Sequence, residues 1–148
     1  MSLVNITENF TWGEVACHDG QDCPDSWKPN ARVLAMTVLE PIRARWCRLR
    51  GKDAPLIPIS WWRSQEWNRK QGGVDGSFHL TARAVDMRPV EVHRTHELAA
   101  LIEDMIANKE LPSLGGFGKY RHWVHVDIRP KAGGRIARWI GKGMGSEE

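Results

Sequence analysis

A histidine and a carboxylate seven positions apart, His79 and Asp86, lie near the two ends of the segment Ser77-Phe78-His79-Leu80-Thr81-Ala82-Arg83-Ala84-Val85-Asp86. A turn between them lets both side chains converge. His125, in a second stretch where apolar and polar residues alternate, offers another imidazole. Two imidazoles and one carboxylate satisfy three positions of a zinc ion and leave the fourth for water, the catalytic rather than the structural arrangement. By spacing alone the plainer alternative, histidines satisfied separately on the surface or in the core, stays open.

The elements that must carry these groups are two strands. Over residues 82–88, Ala82, Ala84 and Asp86 fall on one face and Arg83, Val85 and Met87 on the other. Over 123–129, Val124, Val126 and Ile128 form a face that requires a helix against it. Trp123, His125, Asp127 and Arg129 share the opposite face. Asn30 caps a predicted helix running to Arg48, with Val33, Leu34, Val38, Ile42 and Trp46 on one side and Pro41 expected to kink or divide it. Thr95 caps a second helix carrying Leu98, Leu101, Ile102, Met105 and Ile106. Residues 56–60 form a short strand, 61–76 a polar loop or loop plus helix, and 10–29 a loop with helical pieces. The pattern is α+β, a small antiparallel sheet packed on helices. Residues 1–140 form one domain, and 141–148 are a tail expected to fray.

The chain has 148 residues, 41% hydrophobic and 26% charged, which excludes a disordered polymer. It contains no apolar run near the ~20 residues of a membrane helix. Its net charge of +3 comes from scattered basic residues, so a solvated surface is favoured over an anionic polymer as partner. Three cysteines cannot all pair within one chain, and reduced thiols are expected. A Cys17–Cys23 bridge, or a metal site with His18 that is one ligand short, is the alternative. His93 and His96 are expected on the surface. Of eight tryptophans, Trp12, Trp27, Trp46 and Trp139 are assigned to core packing, while Trp61, Trp62 and Trp123 divide between core and cleft wall.

Ser77-x-His79-x-x-Ala82-x-Ala84-x-Asp86 resembles the S-x-H-x-x-G-x-A-x-D signature of the M15 family of zinc D-Ala-D-Ala carboxypeptidases and related peptidoglycan peptidases. Val124-His125-Val126-Asp127 is similar to the family's closing V-H-V-D, and Gly115-Gly116-Phe117-Gly118-x-Tyr120 to its glycine-rich lead-in. Ser60-Trp61-Trp62-Arg63-Ser64 resembles S-G-Y-R-S, and Asn68 with Gly72-Gly73 resembles the N…G-G stretch. Residues 10–17 and Val38-Leu39-Glu40-Pro41-Ile42-Arg43 look like a subgroup's N-terminal pattern, so the resemblance spans roughly 10–139.

The resemblance implies a hedgehog/D-Ala-D-Ala peptidase-like fold with one Zn²⁺ per chain on the open face of the sheet, held by His79, Asp86 and His125. It implies that Arg63 binds the substrate carboxylate or polarises the scissile carbonyl. Ser77 either positions backbone and substrate or forms the turn, and Trp62 and Trp123 contact substrate. Dipeptidase relatives carry a glutamate three residues before the last histidine, where this chain has His122. Other relatives have a histidine two before it, where this chain has Trp123. His122 is therefore the expected base, provided a bulge or the strand's entry turn brings it to the face of His125. Asp127 is expected to orient the site. Ala82 replaces a glycine, which is tolerable where the backbone is extended.

The implied activity is hydrolysis of a bond in the peptidoglycan stem by a monomer without nucleic-acid or membrane partners. A compact chain with no basic, apolar leader suits synthesis in the cytoplasm and phage-type release to the cell wall, as for an endolysin. A zinc-containing wall-binding domain that has lost catalysis is the alternative from another class. A nucleic-acid binder using tryptophans as stacking platforms would need basic residues arrayed along a groove, and the sequence shows none.

Overall fold

The structure, a computed structural model, describes residues 4–141. Residues 142–148, most of the expected tail, lie outside that range. Strands β1 (Asn5–Thr7) and β2 (Phe10–Thr11) form a small antiparallel pair leading into α1 (Trp12–Val15), where Thr11 and Glu14 make a reciprocal capping box.

A long helical run follows: α2 (Lys28–Leu34), a π turn (Ala35–Leu39) and α3 (Glu40–Arg50), stopped by Gly51 at φ +68°. It starts before Asn30, because Pro29 occupies the first turn, where a missing N–H costs nothing. The Asn30 amide instead donates to the Thr81 carbonyl at 3.0 Å. Pro41 does not divide the helix. Its ring and absent N–H disturb the carbonyl one turn upstream, and the chain widens into the π turn there instead of breaking. Leu34, Val38, Ile42 and Trp46 are fully buried, while Val33 is exposed.

The second half holds β3 (Leu56–Ser60), α4 (Gln65–Lys70), β4 (Ala84–Pro89), α5 (Thr95–Ala107), β5 (Gly116–Lys119), β6 (Val124–Asp127) and β7 (Ala137–Ile140). The sheet order is β3-β4-β6-β5-β7. The expected antiparallel sheet is in fact mixed, because β7 pairs parallel to β5. The cause is local. β6 ends beside Gly116, and the loop bridged by Ala132 and Arg135 starts and finishes at that same end of the sheet. β7 must then run in the direction of β5.

Val85, Met87, Phe117, Val124 and Val126 pack in one core with Leu98, Ile102 and Met105 of α5. Burying each such side chain contributes about 1.5–3 kcal/mol. Strand alternation then forces Asp86, His125 and Asp127 to the opposite face. No helix among the described residues is long and apolar enough to cross a membrane. The described cysteines, Cys17, Cys23 and Cys47, carry free thiols.

Candidate metal centre

Between His79 and Asp86 the chain reverses through a 3₁₀ turn (Phe78–Thr81). Ser77 starts the turn by accepting from the His79 N–H at 3.2 Å, and Ala82 closes it at φ +59°. The left-handed conformation at Ala82 contradicts the extended one expected there. The turn needs it so that the Arg83 N–H reaches the Phe78 carbonyl at 3.0 Å. An alanine there carries the Cβ strain that a glycine avoids. β4 and β6 then place Asp86 directly opposite His125.

Neighbours decide which ring nitrogen faces inward. His79 Nδ1 lies 2.7 Å from the Trp61 carbonyl, which can only accept, so Nδ1 carries the proton and Nε2 a lone pair. His79 Nε2 is 3.4 Å from Asp86 Oδ2. His125 lies between two carboxylates, with Nε2 2.8 Å from Asp127 Oδ2 and Nδ1 2.9 Å from Asp86 Oδ1. With a cation on the Asp86 side, Nδ1 would give up its proton and Nε2 would keep one for Asp127. One donor atom from each of His79, Asp86 and His125 lies within 4.8 Å of the others. All three residues are buried. Two neutral nitrogens and a carboxylate converging in this way fit a divalent ion that prefers mixed nitrogen and oxygen ligands.

The electrostatics agree. Burial pushes Asp86 up, but its contacts with His79 and His125 outweigh it and hold the carboxyl well below its usual range. Burial opposes protonation of His125, yet its hydrogen bonds to Asp127 and Asp86 raise its pKa above the ordinary value. A cluster that attracts a proton this strongly also attracts a metal cation, which must displace that proton.

A cleft of about 410 Å³ opens onto the triad, lined also by Arg63, Ser77, Phe78, Tyr120, Trp123, Arg129 and Trp139. Arg63 is held by all three nitrogens: Nε to Ser60 Oγ at 3.0 Å, Nη1 to Asn68 Oδ1 and Nη2 to Asp86 Oδ2, both at 3.2 Å. Beneath His125, Asp127 is fully buried and accepts from His125 and from the Arg129 fork. The glycines of the lead-in clear space for this. A Cβ on Gly116 would lie 2.3 Å from Asp127 Oδ2, and one on Gly118 would lie 2.4 Å from the Trp139 ring.

The sequence model of the family described as Peptidase M15 matches residues 8–127, most of the chain and all three members of the triad. The chain belongs to the Peptidase M15 family. No curated protein matches it. The match makes this an M15 peptidase domain; the matched residues run to Asp127, two before Arg129.

Within the M15 domain, His79, Asp86, His125, Arg63, Ser77 and Trp123 gather at one cleft, with Asp127 behind it. Two expected members do not join them. Trp62 is only 6% exposed, and its Nε1 donates to the Leu80 carbonyl, so it packs in the core. His122 is exposed in a separate depression with Ile59, Arg88, Val90 and Val92, because β6 starts only at Val124 and the bend before it turns His122 away. No bulge returns it to the face of His125. Trp139, assigned to the core, instead lines the cleft, tilted over His125 with ring centroids 5.0 Å apart. Tyr120, stacked on Trp123 at 4.6 Å, and Arg129 were given no role by the sequence. The one signal for Arg129 was its place on the His125–Asp127 face.

Proposed function

We propose that this M15 domain is a zinc-dependent peptidase that hydrolyses a bond in the peptide stem of peptidoglycan, acting at the cell wall as a monomer. Its frame is of the hedgehog/D-Ala-D-Ala peptidase type, with zinc on the open face of the sheet. The observation that carries this reading is the convergence of His79 Nε2, Asp86 and His125 Nδ1 at the base of an open cleft with Arg63 at its side. Zinc held there supplies Lewis acidity to the scissile carbonyl and lowers the pKa of water toward ~7.

The chain supplies the rest. Asp127 keeps a proton on His125 Nε2, and the Trp61 carbonyl keeps one on His79 Nδ1, so both rings present lone pairs. Arg63, fixed by Ser60, Asn68 and Asp86, presents positive charge where negative charge develops on the carbonyl oxygen. Tyr120, Trp123 and Trp139 form a wall against which peptide packs and from which water is excluded.

The test combines metal analysis with mass spectrometry of defined muropeptides. The expected result is one zinc per chain and a single class of bond cut, D-Ala-D-Ala in a carboxypeptidase or an internal or cross-linking bond in an endopeptidase. A protein that holds zinc and binds muropeptides but cuts none of them is a wall-binding domain. A protein without zinc overturns the reading.

A further inference from the structure

Resting on that reading of the cleft, we propose that Arg129 recognises a free carboxylate on the substrate. The domain's preferred peptide then carries such a group close to the bond that is cut. The guanidinium is immobilised on one edge. Nε lies 2.9 and 3.1 Å from the two oxygens of Asp127, Nη2 lies 2.6 Å from Oδ2, and the Arg129 backbone N–H adds a bond at 3.0 Å. Its faces are flanked by Phe78 and Trp139, with ring centroids 4.7 and 5.0 Å from Cζ. A cation fixed by a fully buried acid and by aromatic faces has little freedom left to lose on binding.

Nη1 differs. It makes no hydrogen bond to any described residue, and the side chain is 27% exposed on the cleft lining. The two Nη1 donors of this rigid fork are thus without an acceptor on a residue that lines the cleft. Arg63 has less to offer a carboxylate: three of its five N–H donors go to Ser60, Asn68 and Asp86, whereas two of Arg129's five go to Asp127.

Charge points the same way. Asp86 balances Arg63 and Asp127 balances Arg129, so a divalent ion on the triad leaves the cleft with a surplus of two positive charges. A peptide bearing a carboxylate meets that surplus, and its amide does not. Arg129 and Trp139 both lie beyond the residues that the family model matches, so this recognition belongs to the part of the cleft that family membership leaves unassigned.

The experiment compares a stem pentapeptide with free carboxylates and the same peptide fully amidated, using the zinc-loaded full chain and its Arg129→Gln and Arg129→Lys variants. Wild type should favour the free acid in kcat/KM by about tenfold or more, the scale of a charge-assisted hydrogen bond. Arg129→Gln should bring that ratio close to one. Arg129→Lys should lower it too, because an ammonium cannot serve Asp127 and the cleft together. A loss of equal size on both peptides, with the ratio kept, would make Arg129 a positioning residue for Asp127 and overturn the proposal, as would a wild type without preference. Titration of tryptophan fluorescence with both peptides on zinc-free protein reads binding directly. Carboxylate preference there, abolished in Arg129→Gln, supports the recognition even where no peptide is cut, which would sink only the peptidase reading. Zinc content and thermal melting show whether each variant folds, and the Lys variant decides if Gln does not.

Discussion

Asp127→Asn changes almost no volume and removes one charge, which makes it the sharpest test of how the centre is held. The carboxylate is fully buried and accepts from His125 Nε2 at 2.8 Å and from the Arg129 backbone N–H, Nε and Nη2 at 2.6 to 3.1 Å. An asparagine amide has one acceptor oxygen and one NH₂, so in either orientation it aims N–H at an Arg129 N–H, and in one of them at His125 Nε2 as well. Burial pushes the Asp127 carboxyl up, but the bonds from His125 and Arg129 outweigh it and bring it from 3.8 down to about 2.

That shift corresponds to about 2 kcal/mol of stability at neutral pH, at about 1.4 kcal/mol per decade of proton affinity. Because the folded value is depressed, this contribution is present above pH ~4 and lost as pH falls through about 2. The variant also leaves the Arg129 charge unpaired beside a buried dipole, so its total cost should reach about 3–5 kcal/mol. Urea unfolding of the zinc-free protein at pH 7 measures it. Chelator competition should show zinc affinity down by about 10–100-fold, the usual effect of losing the group that orients a ligating histidine. A variant within 1 kcal/mol of wild type with unchanged zinc affinity would refute the orienting role of Asp127.

His125→Ala should abolish stoichiometric zinc in metal analysis of the purified protein, and unchanged stoichiometry would remove His125 from the site. Arg63→Ala should retain zinc while turnover on muropeptides falls by ~10²-fold or more. Arg63→Lys should recover little of that, since an ammonium cannot span Ser60, Asn68 and Asp86. His122→Ala should leave turnover and its pH profile unchanged, and a large loss would mean that the bend before β6 brings His122 over the cleft during reaction.

The triad was legible because two strands of alternating polarity bring it together, and alternation survives in sequence even where pairing does not show. His79 and Asp86 needed only a turn, and Ser77 and Ala82 make one. His122 misled because it stands where dipeptidase relatives carry a glutamate, and the bulge or entry turn needed to bring it to the face of His125 is not there: the bend at residues 121 and 122 turns it away. β7 escaped because four residues of alternating half-burial and exposure carry no core pattern, and parallel pairing to β5 depends on where a loop ends. Trp139 was read as core because tryptophan most often is, and nothing local marks it as a cleft wall. Pro41 announced a disturbance in the helix, but only the packed helix shows that a π turn upstream absorbs it.

The contact between Gly118 and Trp139 ties the variation of two distant positions together. A side chain at 118 would collide with the indole at 2.4 Å, so any lineage or library that keeps tryptophan at 139 must keep glycine at 118. Shrinking 139 to a small residue frees 118 to carry a side chain of its own. The wall of the cleft can then be rebuilt from β5 instead of β7. His79, Asp86 and His125 come from β4, β6 and the turn before β4, so the exchange alters no member of the triad itself, although it changes what lies over the His125 ring. Positions 118 and 139 should therefore change as a pair across natural variants, and a two-site library at these positions can reshape the cleft without substituting His79, Asp86 or His125.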